Sequence, residues 1–315
     1  MRPAFSVIFF TVMSGCGYGL LFLLGAVFVS DPLLIARNEA LLALAIGAVF
    51  VVVGLLSSTL HLGQPQRAWR AFSQWRTSWL SREGVASLAS FVPMLALAWC
   101  LWRGADESLL RALGALLALL AAITIVCTAG IYTSLKTIPA WHNPYVLPGY
   151  LLLGLLGGAC WSLLIGGWAG TAQARPALVV AFAIACVVLK RAYWRHIDSE
   201  APTSTPESAT GLGRFGRVRS VEAPHTEENY LTQEMGFVLA RQHAARLRTI
   251  CLVLIGAVPI VAAAAVPELP GWSAVLACIA AFAATAGLFV ERWLFFAQAK
   301  HMVMLYYGGT RPQNP

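Results

Sequence analysis

The most chemically suggestive segment of the chain is His61-Leu62-Gly63-Gln64-Pro65-Gln66-Arg67, where a long apolar stretch gives way to a loop. Imidazole takes up and releases protons near neutral pH. A titratable side chain at membrane depth is a functional candidate by default, because lipid disfavours its charged form. Glu83 opens the next apolar stretch. A carboxylate there can carry a proton between a buried site and water, with Arg67 holding it ionised. A third polar group follows the fourth apolar stretch: Tyr132-Thr133-Ser134-Leu135-Lys136, then Thr137-Ile138-Pro139-Ala140-Trp141-His142-Asn143-Pro144. Its two prolines predict a rigid, non-helical turn. Irregular backbone at membrane depth must be buried in protein or line a cavity.

These segments bring one or two imidazoles, a carboxylate and a guanidinium to one membrane boundary, between Trp and Leu walls. Such a set suits a quinone. The head group needs hydrogen bonds at two carbonyls, each oxygen takes a proton on reduction, and the isoprenoid tail needs access to lipid. His61, Arg67 and Glu83 are the first candidates, His61 and Glu83 as the groups that move protons, and Trp141 and His142 join them on spacing. Each residue also has a plainer reading: an interfacial histidine, a helix-start glutamate favoured by the dipole, an arginine on lipid phosphate, a loop histidine. Two histidines could alternatively ligate haem b, although only His61 is attached to a span and no pair faces across the bilayer. Seven cysteines are present and none forms a Cys-x-x-Cys pair. Iron–sulfur and structural-zinc spacings are therefore missing, and no metal ligand set is expected. Clusters that feed electrons to this site must sit on another subunit.

The elements that position these residues are membrane helices. Of 315 residues, 58% are hydrophobic and 11% charged, whereas soluble domains run near 25% charged. Eight stretches reach the roughly 20 apolar residues that a spanning helix needs: Phe5–Val29, Ala40–Leu62, Gly84–Trp102, Leu109–Leu135, Val146–Trp168, Pro176–Trp194, Thr249–Val266 and Trp272–Ala297. The expected fold is an all-α, eight-helix bundle forming one domain over 1–315. Strands of a transmembrane barrel, about 10 residues each, do not fit these lengths. The first stretch has no good small-residue cleavage site before Asp31 and is expected to be retained. With both ends on one side, 18 of the 22 Lys and Arg residues fall on that side. By the positive-inside rule that side is cytoplasmic, and the protein is expected in the bacterial inner membrane. The net charge of +8 is mostly this asymmetry, so nucleic acid is not an expected partner.

Two loops are long. Residues 63–83 interleave Trp69, Phe72, Trp75 and Trp79 with Arg67, Arg70, Arg76 and Arg82 at near-helical spacing, which predicts an interfacial helix at the lipid headgroups. Residues 195–248 begin with a Pro/Ser/Thr/Gly-rich part, 199–226, expected to be extended. They continue into a helix over Glu228–Arg248 whose acidic start and basic end match the helix dipole. A surface this elaborate is expected to dock a partner, with anionic lipid as the other candidate.

The chain resembles the membrane-anchor subunit of dimethyl sulfoxide reductase-type enzymes. The likeness is carried by Met1-Arg2-Pro3-Ala4-Phe5-Ser6, by His61-Leu62-Gly63-x-Pro65-x-Arg67, by Ser78-Trp79-Leu80-Ser81-Arg82-Glu83, by Ile138 to Pro144, and by Ala223 to Tyr230 with Glu234 to Phe237. It implies a three-subunit complex. A molybdopterin subunit holds the substrate, a four-cluster iron–sulfur subunit carries electrons, and the anchor exchanges them with ubiquinone or menaquinone. It also implies that His61, Gly63, Arg67 and Glu83 form the quinone site. The cytoplasmic placement of the motif is similar to relatives that oxidise sulfite, so the expected flow is from sulfite into quinone. Quinol oxidation for a sulfoxide reductase is the reverse alternative. A transporter is a third reading, but transporters place their sites near the midplane, whereas the polar groups noted here collect at one face. A purely structural anchor is the fourth.

Overall fold

In lipid each backbone N–H and C=O must be satisfied within its own segment, and a helix does this. The structure, a computed structural model, describes residues 4–59, 64–169, 175–199, 204–218, 221 and 243–303. Within these residues the eight apolar stretches are helices of 22 to 27 residues. They are α1 (Phe5–Ser30), α2 (Arg37–Thr59), α3 (Trp79–Arg103), α4 (Glu107–Thr133), α5 (Val146–Ala169), α6 (Pro176–Ser199), α7 (Ala244–Ala265) and α8 (Ser273–Ala297).

Several bounds differ from the apolar stretches. Ser78 caps α3, its hydroxyl accepting from Ser81 N at 3.5 Å, so the helix starts at Trp79 and not at Gly84. The third helix thus gains a polar first turn, and Glu83 lies inside it. α6 continues to Ser199, past Trp194, and α7 begins at Ala244. Within α7 a five-residue π-turn, Val253–Ala257, precedes Pro259; proline lacks the N–H needed for the regular ladder and such turns accommodate the mismatch.

α1 lies at the centre, packed against α2, α4, α5 and α8, while α3 packs on α4 and α7 on α6 and α8. The contact between α1 and α5 is made by glycines. A Cβ on Gly19 would fall 1.9 Å from the Gly154 carbonyl oxygen, and one on Gly158 would fall 2.2 Å from the Gly19 carbonyl carbon. Gly15 and Gly19 on α1 and Gly154 and Gly158 on α5 have the small-xxx-small spacing that lets helix backbones touch where lipid supplies no hydrophobic drive. The outer faces stay apolar: Leu56, Leu88, Val92 and Leu95 are exposed, which suits lipid and not water.

Hydrogen bonds define the two ends of the bundle. At one end Ser57 Oγ donates to Ser6 O at 3.1 Å, Trp141 Nε1 to Phe295 O at 3.0 Å, and Met302 N to Thr137 O at 3.1 Å. Phe5 stacks on Phe289 at the same end, centroids 6.4 Å apart. The start of α1 and the end of α8 therefore share a face with the loops at 64–78 and 134–145. At the opposite end Arg111 donates to Val29 O and Ser30 O, Arg37 to Trp102 O, and Arg175 pairs with Glu39.

The loop at 64–78 carries a 3-10 helix, Pro65–Phe72, followed by turns. It is fastened to α3 by Arg82, which donates to Trp75 O and Arg76 O, and by Ser81 Oγ, which donates to Ala71 O. Trp69 and Trp75 are exposed. The 134–145 loop is non-helical, as its prolines predict, and Asn143 braces it by accepting from Tyr145 N and donating to Ala140 O. The segment expected to be extended is locally folded over 204–218. Thr205 and Ser208 form a capping box for a one-turn helix, Pro206–Thr210, which leads into a 3-10 turn, Leu212–Phe215. The reciprocal cap satisfies backbone donors that would otherwise face water. The expected helix Glu228–Arg248 lies outside the described residues up to 242.

Candidate functional site

Glu83 is 3% exposed. It stands in the second turn of α3 because Ser78 sets the helix start, and it faces α4, where Thr128 Oγ1 donates to its carboxylate. Thr128 Oγ1 also lies 3.0 Å from Thr124 O. One hydroxyl proton cannot serve both acceptors at once. With Glu83 ionised, Thr128 donates to it. With Glu83 protonated, Glu83 donates to Thr128, and Thr128 turns to Thr124 O. The pair holds either protonation state without leaving a polar atom unpaired, a requirement for any group that cycles between them.

Two rings pack near Glu83 in the chain and on α4: the Trp79 ring lies on Gly130, where a Cβ would come within 2.6 Å of it, and the Phe72 ring lies on Gly84 at 2.8 Å. Towards the interior Glu83 faces hydroxyls. Thr128 lines a cavity of about 20 Å³ together with Ser14, Tyr18, Tyr150 and Arg292. The Tyr18 hydroxyl points among Ser87, Ser90 and Thr124, and the Tyr150 hydroxyl towards Tyr132. Neither Tyr18 Oη nor Tyr150 Oη makes a well-formed hydrogen bond among the described residues.

Beyond the cavity lies a buried ion cluster. Lys190, Glu291 and Arg292 are 4%, 1% and 4% exposed. Lys190 Nζ donates to Glu291 Oε1 at 2.6 Å, and Arg292 Nη1 lies 3.1 Å from Glu291 Oε2. The Arg292 guanidinium sits 3.7 Å over the Tyr150 ring, and Lys190 Nζ 3.9 Å over the Tyr193 ring, contacts that strengthen when water is excluded. Two cations face one carboxylate here, and Glu83 across the cavity supplies the second negative charge when ionised.

The other expected site residues are scattered. Arg67 is exposed on the 3-10 helix. Trp141 is buried, edge-on to Tyr132 at 5.3 Å and stacked on Phe295 at 5.6 Å, its indole N–H bonded to Phe295 O. His142 is exposed, its Nδ1 2.5 Å from Thr133 O. His61 and Gly63 lie outside the described residues. Tyr18, Thr128, Tyr150 and Lys190 are additions that sequence reasoning misses. Lys190 carries a signal, a lysine within an apolar run; the hydroxyls carry none. The seven cysteines are free thiols, and Cys16 lines the interior cavity.

Fold and site define a multi-pass, all-helical membrane protein with ionisable groups buried under one face. The chain belongs to the DMSO reductase anchor subunit (DmsC) family, whose family model matches residues 1–298. It is 31% identical over 326 aligned positions to the C subunit of sulfite dehydrogenase from Allochromatium vinosum, covering 98% of this chain and 99% of that one. It is also 26% identical to the C chain of anaerobic dimethyl sulfoxide reductase from Escherichia coli K12, over 57% of this chain and 63% of the relative. These relatives are subunits of oxidoreductases, and this protein is a membrane-anchor subunit of that kind.

Proposed function

We propose that this anchor exchanges electrons between a partner iron–sulfur subunit and the quinone pool, with Glu83 taking up or releasing the accompanying proton. One observation carries the reading: a fully buried carboxylate whose single hydroxyl partner serves both of its protonation states. A quinone, as substrate, accepts two electrons and two protons per turnover, so its site needs such a group. The interior cavity, about 20 Å³, is far below the 300 Å³ or more of ligand pockets. The head group is therefore assigned to the loop side of Glu83, towards Arg67 on the 64–78 loop, which follows His61–Gly63 in the chain. Trp141 and His142 take no direct part in this arrangement. The full-length similarity to a sulfite dehydrogenase subunit favours sulfite as the electron source, the molybdopterin chemistry lying on a partner. The shorter similarity to a dimethyl sulfoxide reductase subunit favours the opposite flow through the same site.

The test is Glu83→Gln in the assembled complex, which keeps the shape and removes the titration. Quinone-linked turnover is expected to fall by about 100-fold or more, the usual share of a positioned acid–base group, while dye-linked turnover of the catalytic subunit is kept. His61→Ala is expected to do the same. Unchanged quinone turnover in both variants, with the complex intact, sinks the quinone reading.

A further inference from the structure

Towards the interior, Glu83 meets Thr128, which lines the larger cavity. Tyr150 and Arg292 line that cavity and also a second, of about 10 Å³, which is shared with Lys190, Glu291 and Tyr145. A space of about 10–15 Å³ accepts one water if polar partners are present, and both cavities offer them. Tyr150 Oη is more than nine-tenths buried and makes no well-formed hydrogen bond among the described residues, while Glu291 Oε2 is held by Arg292 at 3.1 Å. A buried polar atom left without a hydrogen bond is unfavourable by about 1–3 kcal/mol, so the Tyr150 hydroxyl, which borders both cavities, points to water as the occupant. The second cavity reaches the bundle end at Tyr145, whose ring packs against half-buried His196 at 5.3 Å.

Resting on the assignment of Glu83 as the proton-exchanging group, we propose that its proton travels through the interior by a water-bridged relay. The relay runs from Tyr145 and His196, past the Glu291–Lys190 pair and Arg292, over the Tyr150 hydroxyl, to Thr128 and Glu83. Each link gives one proton onwards and takes one from behind: an N–H bond breaks or forms only at the His196 imidazole, and every later link, hydroxyl, water or the Glu83 carboxyl, exchanges O–H bonds. Arg292 and Lys190 set the electrostatics. With Glu83 ionised the four buried charges balance, and a proton arriving at Glu83 leaves one positive charge in excess, which favours its release again. Tyr150 is a relay residue, not a catalytic one, because it touches neither quinone nor the redox partner.

The test compares Tyr150→Phe, Thr128→Val and Glu83→Gln in the purified complex, in vesicles, with a short-chain quinone as the probe. Two readouts are used: quinone-linked turnover in H2O and D2O, and the rate at which the Glu83 carboxyl exchanges hydrogen for deuterium by infrared difference spectroscopy. The relay predicts that Tyr150→Phe slows turnover at least about tenfold, raises the solvent isotope effect and slows the exchange, with dye-linked turnover unchanged. Thr128→Val does the same and covers the case in which Tyr150→Phe fails to assemble. If Glu83→Gln abolishes quinone turnover while both hydroxyl variants keep wild-type turnover and exchange, the relay is overturned and the quinone site stands. If Glu83→Gln is itself without effect, both proposals fall.

Discussion

A carboxylate between two cations makes a sharp prediction at the residue scale. Removing Lys190 by Lys190→Met leaves Glu291 and Arg292 as a one-to-one pair at 3.1 Å. Removing the shared carboxylate by Glu291→Gln leaves two buried cations with no carboxylate in contact. Breaking a buried pair this way is typically destabilising by about 3–5 kcal/mol, whereas a remainder that keeps its contact pair loses less. Thermal unfolding in detergent is expected to place Glu291→Gln well below Lys190→Met; equal losses would mean that Glu291 does not balance both cations. His301, beyond the end of α8, gives a second. Its Nδ1 accepts from Val303 N at 3.1 Å, and partial burial lowers its pKa from the usual 6.5. Neutral imidazole is the form that accepts, and a lowered folded pKa means that the contribution is present above 6.5 and lost as pH falls through 6.5 to the folded value. An NMR titration assigned with His301→Gln should put the midpoint below 6.5, and a midpoint above it contradicts the burial argument.

At the scale of elements, the glycine contact between α1 and α5 fixes the core. Gly19→Val places a side chain where the Gly154 carbonyl already stands, so the two helices must part, with a loss of about 3 kcal/mol or more expected from overpacking. Gly15→Ala is the matched control, since nothing lies within 4 Å of its added carbon, and it should be neutral or slightly stabilising. Thermal melts of the two variants check this, and a Gly19→Val protein as stable as Gly15→Ala refutes the close contact. The spans are legible in the sequence because an apolar run of about 20 residues has few other fates. The start of α3 is not, because Trp79 to Arg82 continue the aromatic–basic pattern of the loop, and only the Ser78 cap separates them from it. Lys190 is hidden by Arg191 and Arg195, which make Lys190-Arg191-Ala192-Tyr193-Trp194-Arg195 read as a headgroup boundary; the continuation of α6 to Ser199 puts the lysine inside. Tyr18 and Tyr150 look like core aromatics in any apolar helix, and their role depends on neighbours contributed by other helices. Glu83 is legible because a carboxylate beside an apolar run is rare enough to stand out.

For the whole molecule, the distribution of charge bears on sidedness and docking together. Buried Lys190 and Arg292 are not loop charges, but setting them aside still leaves, among the described residues, twelve Lys and Arg towards the face shared by the start of α1 and the end of α8 and four towards the other. We therefore propose that this face is cytoplasmic, and a reporter active only in the periplasm, fused to Pro315, should be silent. The same face carries the folded segment at 204–218, where Phe215 and Leu212 are exposed beside Arg214, whose guanidinium lies 4.6 Å over the Phe215 ring. An aromatic and an arginine presented together are the residue types that anchor protein interfaces, and the capping box keeps them ordered without a partner. Lipid would be met by basic side chains without such a local scaffold. Deleting residues 204–219 is expected to release most of the iron–sulfur subunit from the membrane fraction while the anchor itself stays inserted and as heat-stable as before. The milder Phe215→Ala should weaken retention in the same direction, by about 1–3 kcal/mol for an anchor residue of this kind. Full retention of the partner after the deletion would assign docking to another surface, the 64–78 loop being one such element among the described residues.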